Sequence, residues 1–172
     1  PGLPDLPSTH AYPGTVLFEA TNVSYGRGTW EPFAVIGAPW SDGVAIADDL
    51  NARGLPGVRF EAVGFTPIVL PIAPTPRYEG AAISGVRVVI TDQDQFEPVA
   101  TGVHMLSAFH AQSTALGLGP IIDRPDTFDL LAGTGRLRQM LESGTPADEI
   151  VASWSDELAA FLELREQDLI YD

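Results

Sequence analysis

The sequence predicts an α/β (α+β) fold, with a small mixed sheet, flanking helices and a helical C-terminal third. Short runs of apolar and β-branched residues recur in the first half of the chain, with the length of buried strands. Capped segments with helical spacing separate these runs, and only helical patterns remain after residue 97. At 172 residues and 45% hydrophobic content, the chain is long enough for one core, so residues 1–172 are predicted to form a single domain.

Four segments are predicted to be strands. They are residues 15–18, 33–36, 58–63 and 86–90. The first follows Pro13-Gly14, which is typical of a strand boundary. The third alternates apolar and polar side chains, which indicates a strand with one exposed face.

Four segments are predicted to be helices because cap signals precede apolar residues at helical spacing. They are residues 42–53, 98–116 and 136–142, and a segment from residue 146 to 162 that Ser153 or Ser155 interrupts. Their apolar positions are predicted to face the core: Val44, Ile46, Ala47, Leu50, Val99, Val103, Leu106, Phe109, His110, Ile150, Trp154, Leu158, Phe161 and Leu162.

The beginning of the chain has the composition of a linker. Residues 1–11 contain Pro1, Pro4 and Pro7 and lack the basic-then-apolar pattern of a signal peptide. We therefore interpret residues 1–11 as a lead-in and the chain as part of a longer polypeptide.

Charge is unevenly distributed along the chain. The net charge is −14, and residues 92–172 hold 15 of the 23 acidic side chains. Such an acidic chain repels phosphate backbones, so nucleic acid is not an expected partner. An anionic sugar would also be repelled at long range and would need a local donor such as Arg27.

No motif for a metal or a cofactor withstands inspection. The chain has no Cys and no Lys, which excludes thiolate metal sites, disulfides and a phosphate-loop lysine. Residues 92–103 lack the Gly and Glu of a calcium loop, and residues 133–138 lack the third Gly of a nucleotide fingerprint. His104 and His110 are too far apart for a helical ligand pair, so the sequence predicts neither cofactor nor metal.

The candidate functional segment is residues 19–29. It places six polar side chains after an apolar run, and Gly26 and Gly28 allow a tight bend around the cation. These side chains are Glu19, Thr21, Asn22, Ser24, Arg27 and Thr29. The alternative is structural, since the same residue types form ordinary turns and an ion pair can simply hold a loop. Trp40 could likewise stack on a sugar ring or be a half-buried packing residue.

Glu19 is the candidate for carboxylate chemistry. Glycoside hydrolysis typically uses two carboxyl groups that flank the bond. Burial beside Phe18 would favour an acid role, whereas Arg27 would favour an ionised carboxylate, and the sequence leaves both open. The second carboxyl must come from another part of the polypeptide.

Several motifs resemble the C-terminal domain of the NamZ family of exo-β-N-acetylmuramidases. The similar segments are residues 12–15 (Tyr-Pro-Gly-Thr), 18–22 (Phe-Glu-Ala-Thr-Asn), 26–29 (Gly-Arg-Gly-Thr), 32–33, 37–40, 50–58, 65–67, 85–86, 89–92, 96–99, 128–134 and 150–154. Ala20 stands where the family usually has Gly. The family's Ser/Lys loop and Cys are missing from the Pro-rich stretch before residue 85, where Arg77 and Ser84 lie.

The resemblance implies a glycoside hydrolase that releases terminal N-acetylmuramic acid from the non-reducing end of peptidoglycan fragments. It implies an N-terminal Rossmann-like domain that completes the site, so that this part alone would be inactive, and export to the cell envelope or beyond. On this basis Glu19 is the catalytic candidate and Arg27 the partner of the lactyl carboxylate. The other expected substrate contacts are Asn22, Ser24, Thr29 and Trp40. The alternative is a non-catalytic carbohydrate-binding or domain-docking module.

Overall fold

The computed structural model describes residues 2–169 and combines one sheet with helices that precede, separate and follow its strands. The helices are α1 (Leu6–Thr15), α2 (Gly43–Ala52), α3 (Pro98–Ala115), α4 (Pro125–Ala132), α5 (Arg136–Glu142), α6 (Ala147–Ala152) and α7 (Ser155–Arg165). The strands are β1 (Val35–Ala38), β2 (Val58–Phe65) and β3 (Ile83–Ile90), and short 3-10 helices cover Val16–Ala20 and Glu166–Asp168. The predicted α/β class and the helical C-terminal third are confirmed.

The sheet has three strands in the order β1-β3-β2, and both pairings are antiparallel. It is therefore not the mixed sheet that the sequence suggested. Val86 of β3 lies opposite Ile36 of β1 and Ala62 of β2, so the central strand is bonded on both edges. The strands predicted at residues 58–63 and 86–90 lie within β2 and β3. The strand predicted at residues 33–36 is observed as β1, shifted by two residues toward the C-terminus.

The strand predicted at residues 15–18 is wrong, because this segment ends α1 and begins a 3-10 helix. The Asp5 side chain caps α1 by accepting a hydrogen bond from the Ser8 N–H at 2.8 Å. Ala11, Gly14 and Phe18 are buried at helical intervals, and this spacing continues across the Pro13-Gly14 pair. The same helix covers residues 6–11 of the predicted linker-like lead-in.

The core lies between the sheet and helices α1, α2 and α3. Phe18 packs edge-on against Phe109 of α3, with ring centroids 5.6 Å apart. Ile46, Ala47 and Leu50 of α2 and Val103, Leu106 and Phe109 of α3 are buried, as predicted. Val44 and Val99 are exposed instead, because each lies in the first turn of its helix, beyond the edge of the buried face.

Of the C-terminal helices, α3, α5 and the pair α6 and α7 were predicted, whereas α4 was not, and the packing of α7 also differs from the prediction. The predicted interruption is present, since α6 ends at Ala152 and α7 begins at Ser155. Ile150 of α6 is buried, but Leu158, Phe161 and Leu162 of α7 are exposed, so α7 does not pack into the core. Among residues 2–169, no helix has the length and apolar character needed to cross a membrane.

Candidate functional site

The predicted functional segment leaves the 3-10 helix Val16–Ala20 and crosses the edge of the fold between two bridges. Thr21 forms an antiparallel bridge with Ile122, and Ser24 forms one with Gly37 of β1. Gly26 and Gly28 then turn the chain with φ values of 75° and 86°, a region that favours glycine. The loop is therefore fixed by these bridges before it presents Arg27.

Glu19 and Arg27 meet in the structure. Arg27 Nη2 donates to Glu19 Oε1 at 3.3 Å, with side chains that are 34% exposed for Arg27 and 28% for Glu19. The guanidinium lies 5.2 Å from the ring centroid of Phe33 and 5.8 Å from that of Tyr25. A pair this exposed contributes about 1 kcal/mol or less to stability, so stability alone gives little reason for it.

Ser24 and Thr29, two of the predicted substrate contacts, use their hydroxyl groups for hydrogen bonds within the loop. Thr29 Oγ1 donates to the Gly26 carbonyl at 2.7 Å and accepts from the Glu31 N–H at 3.1 Å. Ser24 is buried, and its Oγ accepts from the Gly26 N–H at 3.4 Å. Both hydroxyl groups therefore hold the bend around Arg27 in this structure.

Asn22 has an unused acceptor. Its Oδ1 is buried and has no hydrogen-bond partner among the described residues. Its backbone carbonyl accepts a hydrogen bond from the Tyr78 hydroxyl at 2.6 Å, which brings the Pro-rich segment against the loop. Leaving a buried acceptor unpaired costs about 1–3 kcal/mol, so a donor from a ligand would be favourable here.

Trp40 is packed against the core. Its ring meets Phe109 edge-on, with centroids 6.4 Å apart. Trp40 lies beyond the C-terminal end of β1, whereas Arg27 lies before its N-terminal end. The aromatic rings next to the Arg27 guanidinium are those of Tyr25 and Phe33 instead.

A group of charged side chains missed by the sequence analysis lies beside the Glu19–Arg27 pair. Asp123 and Arg124 both donate their N–H groups to the Ala20 carbonyl, each at 3.2 Å. Asp123 Oδ2 accepts from Arg77 Nη2 at 2.9 Å, and Asp123 Oδ1 lies 3.9 Å from Arg124 Nε. Because Asp123 and Ala20 are far apart in sequence, no local pattern could have revealed this contact.

Tyr25 lies within the electrostatic reach of this group. Burial, and next the charge of Glu19, raise the pKa of its hydroxyl, while the charges of Arg27, Arg124 and Arg77 lower it by a smaller amount. The phenol therefore stays protonated at neutral pH and can donate a hydrogen bond. Arg27, Arg77, Arg124 and Tyr25 together are called the arginine face below.

The arginine face is open and is not one of the main clefts. Five clefts among the described residues are lined by other elements, and none of them includes Glu19 or Arg27. The largest, of about 520 Å³, lies between the beginning of α3 and α7 and has mainly apolar walls. The predicted pair of charges therefore forms, and it lines none of these five clefts of residues 2–169.

Comparison with known proteins gives consistent results. The family described as "Exo-beta-N-acetylmuramidase NamZ, C-terminal" matches residues 10–171. The curated protein "Peptidoglycan beta-N-acetylmuramidase NamZ" of Bacillus subtilis (strain 168) is 37% identical over an alignment 175 residues long, which covers 99% of this chain and 39% of that protein.

Two crystal structures of DUF1343 family proteins from Bacteroides fragilis NCTC 9343 have a similar fold. One has a TM-score of 0.82 at 22% identity and covers 95% of this chain and 42% of its own chain. The other has a TM-score of 0.71 at 29% identity and covers 100% and 43%, respectively. The chain thus spans about two fifths of the length of each of these relatives.

Proposed function

Because the chain belongs to the family of C-terminal domains of the exo-β-N-acetylmuramidase NamZ, we propose that it forms part of an exo-acting glycoside hydrolase. The reaction is the release of terminal N-acetylmuramic acid from the non-reducing end of peptidoglycan fragments. The substrate is taken from the description of the Bacillus subtilis relative. That relative is longer than this chain, and the matched part is 39% of its length.

The observation that carries a catalytic role is the Glu19–Arg27 pair at 3.3 Å on a partly exposed face. In an ion pair Glu19 is a carboxylate, which suits a base, a nucleophile or a group that stabilises the oxocarbenium-like transition state. The general acid then comes from outside this chain, and we assign it to an N-terminal Rossmann-like domain. The present chain alone should therefore be inactive.

The loop around the pair supplies the proposed substrate contacts. Arg27 suits a carboxylate because a guanidinium can form two parallel hydrogen bonds with it. We assign to Asn22 a hydrogen bond with the acetamido group of the sugar, for which its buried side-chain amide turns toward the ligand. Ser24 and Thr29 contribute by holding the bend, and Trp40 by packing the end of β1 against α3.

We place the protein in the cell envelope or the secreted fraction, which cell fractionation tests.

The test is Glu19→Gln in the full-length protein. We expect kcat to fall by about 10²–10⁴-fold with the affinity for N-acetylmuramic acid retained, because general acid–base groups typically contribute that much. Glu61→Gln is the matched control, since Glu61 is also half-exposed and paired with arginines, but on the sheet. Near-normal turnover in Glu19→Gln would refute the catalytic assignment.

The second candidate is a non-catalytic carbohydrate-binding or domain-docking module. It is favoured by one observation: Glu19 and Arg27 line none of the five clefts found in the described part of the chain. Under this alternative, Glu19→Gln would weaken domain association or sugar binding and leave the turnover of the bound complex unchanged.

A further inference from the structure

The arginine face concentrates positive charge in an acidic molecule. Three of the chain's nine basic side chains lie around Tyr25, although the chain has a net charge of −14. Two carboxylates pair with these three guanidinium groups, Glu19 with Arg27 and Asp123 with Arg77 and Arg124. Within residues 2–169, these pairs therefore leave one positive charge that is not neutralised.

Arg124 is the guanidinium with the weakest internal pairing of the three. Arg77 lies 2.9 Å from Asp123 and Arg27 lies 3.3 Å from Glu19, whereas Arg124 Nε is 3.9 Å from Asp123. The Arg124 side chain is also 51% exposed, compared with 27% for Arg77 and 34% for Arg27. An incoming anion would meet the least competition at Arg124.

The position of Arg124 relative to Glu19 is fixed by the backbone. Its N–H donates to the carbonyl of Ala20, the residue that follows Glu19. The bridge between Thr21 and Ile122 holds the two segments side by side. The Arg124 backbone is therefore held next to the residue that follows Glu19.

The available donors suit a carboxylate. A guanidinium binds the two oxygens of a carboxylate in parallel. Because the rest of the molecule repels anions, a local excess of donors is needed to hold one. N-acetylmuramic acid and its derivatives can offer a carboxylate in two places. One is the carboxylate of the lactyl group on the sugar, and the other is the free carboxylate of an attached peptide.

We propose that Arg124, with Arg77 and Asp123 as its positioning residues, binds a carboxylate of the acidic saccharide substrate. This inference rests on the proposed function and adds to it a specificity-determining residue. Arg27, whose guanidinium is also paired with Glu19, then shares the carboxylate with Arg124, and Arg124 distinguishes an acidic sugar from a neutral one.

The test compares full-length wild type with Arg124→Ala and Arg124→Lys by calorimetric titration. Arg136→Ala is the matched control, because Arg136 is also 51% exposed and has an acidic partner at 3.5 Å, but it lies on α5. The probes are N-acetylmuramic acid, its neutral amide, N-acetylmuramoyl-L-alanine and N-acetylglucosamine.

We expect Arg124→Ala to weaken binding of N-acetylmuramic acid by about 10- to 100-fold, as loss of a charged hydrogen bond does. Binding of N-acetylglucosamine and of the amide should be unchanged, and Arg124→Lys should give an intermediate loss. A loss seen with N-acetylmuramic acid assigns the carboxylate to the lactyl group. A loss confined to N-acetylmuramoyl-L-alanine assigns it to the attached peptide.

Equal affinities of wild type and Arg124→Ala for both acidic probes would overturn the inference, as would an equal loss for the neutral probes. Turnover of a terminal N-acetylmuramic acid glycoside is measured in parallel. If wild type cleaves this glycoside while Arg124→Ala prefers the acidic probes over the neutral ones as strongly as wild type does, the inference fails and the proposed function stands. If wild type cleaves none, the proposed function fails whatever the titrations give.

Discussion

Gly26 and Gly28 determine where the Arg27 guanidinium lies. A Cβ on Gly26 would be 2.8 Å from the carbonyl oxygens of Glu31 and Val35, and one on Gly28 would be 2.7 Å from that of Ile68. Both glycines also have positive φ, so a side chain at either position is opposed by backbone strain and by contact with neighbouring backbone. The orientation of the candidate site thus depends on two residues without side chains.

Gly26→Ala should lower the free energy of unfolding by about 2–4 kcal/mol, since it combines the left-handed penalty with overpacking. Gly54→Ala is the control, because Gly54 has a similar φ of 64° but open space, with no atom within 4 Å, where its Cβ would lie. That variant should lose only about 1–2 kcal/mol. Urea unfolding of both variants measures the difference. Equal losses would show that contacts between the new Cβ on Gly26 and the neighbouring backbone add no cost.

At the scale of elements, α1 and α3 approach each other through glycines. A Cβ on Gly14 of α1 would lie 1.9 Å from the Pro98 carbonyl oxygen, and one on Gly102 of α3 would lie 2.6 Å from the Gly14 carbonyl oxygen. Only glycine permits this separation, and it brings the end of α1 and Phe18 against the core. The 3-10 helix that carries Glu19 continues directly from α1.

Gly102→Ala should therefore destabilise the protein by about 1–3 kcal/mol, because the two helices must move apart. In an unobstructed helix the same change would stabilise by about 1 kcal/mol, so the sign of the effect is diagnostic. Ala111→Gly on the exposed side of α3 gives the reference size of the propensity effect. Thermal unfolding measures both, and a rise in Tm for Gly102→Ala would contradict the close approach.

The elements that the sequence predicted correctly have local causes. Asp42 caps α2 by accepting hydrogen bonds from the N–H groups of Val44 and Ala45, and alternation along residues 58–63 marks β2. Such signals involve neighbours in sequence. The failure at residues 15–18 arose because Pro13-Gly14 resembles a strand boundary, whereas a close helix contact stabilises a helix there.

The candidate site was predictable only in part, for a related reason. Glu19 and Arg27 are eight residues apart, so one bent loop brings them together. Arg77 and Arg124 come from distant segments. The pairing of residues 20–22 with residues 121–124 places Arg124 there, and the hydrogen bond from the Tyr78 hydroxyl to the Asn22 carbonyl brings Arg77. Similarly, the apolar spacing of α7 predicted burial, but α7 follows the last buried helix and reaches no core surface.

At the scale of the whole molecule, two histidines on α3 make the stability of the folded state depend on pH. His104 is almost completely buried on α3, with Asp49 of α2, Arg53 directly after α2 and Asp148 of α6 around it. Burial, and next the charge of Arg53, lower the pKa of His104, and the two carboxylates only partly oppose them. Burial likewise lowers the pKa of His110, on the side of α3 that faces Glu142. Both imidazoles are therefore neutral in the folded protein near neutral pH.

The folded state should lose stability as the pH falls through the ordinary histidine pKa of 6.5. Because the folded pKa values are lowered, the unfolded chain binds more protons, so stability is complete above pH 6.5 and declines until the folded pKa is passed. His104→Gln, which stays neutral, should reduce the decline in Tm between about pH 7.5 and pH 5 relative to wild type. His110→Gln should reduce it separately, and the two reductions should add unless the sites interact along α3. An unchanged slope in the double variant would show that the decline between about pH 7.5 and pH 5 does not come from these two imidazoles.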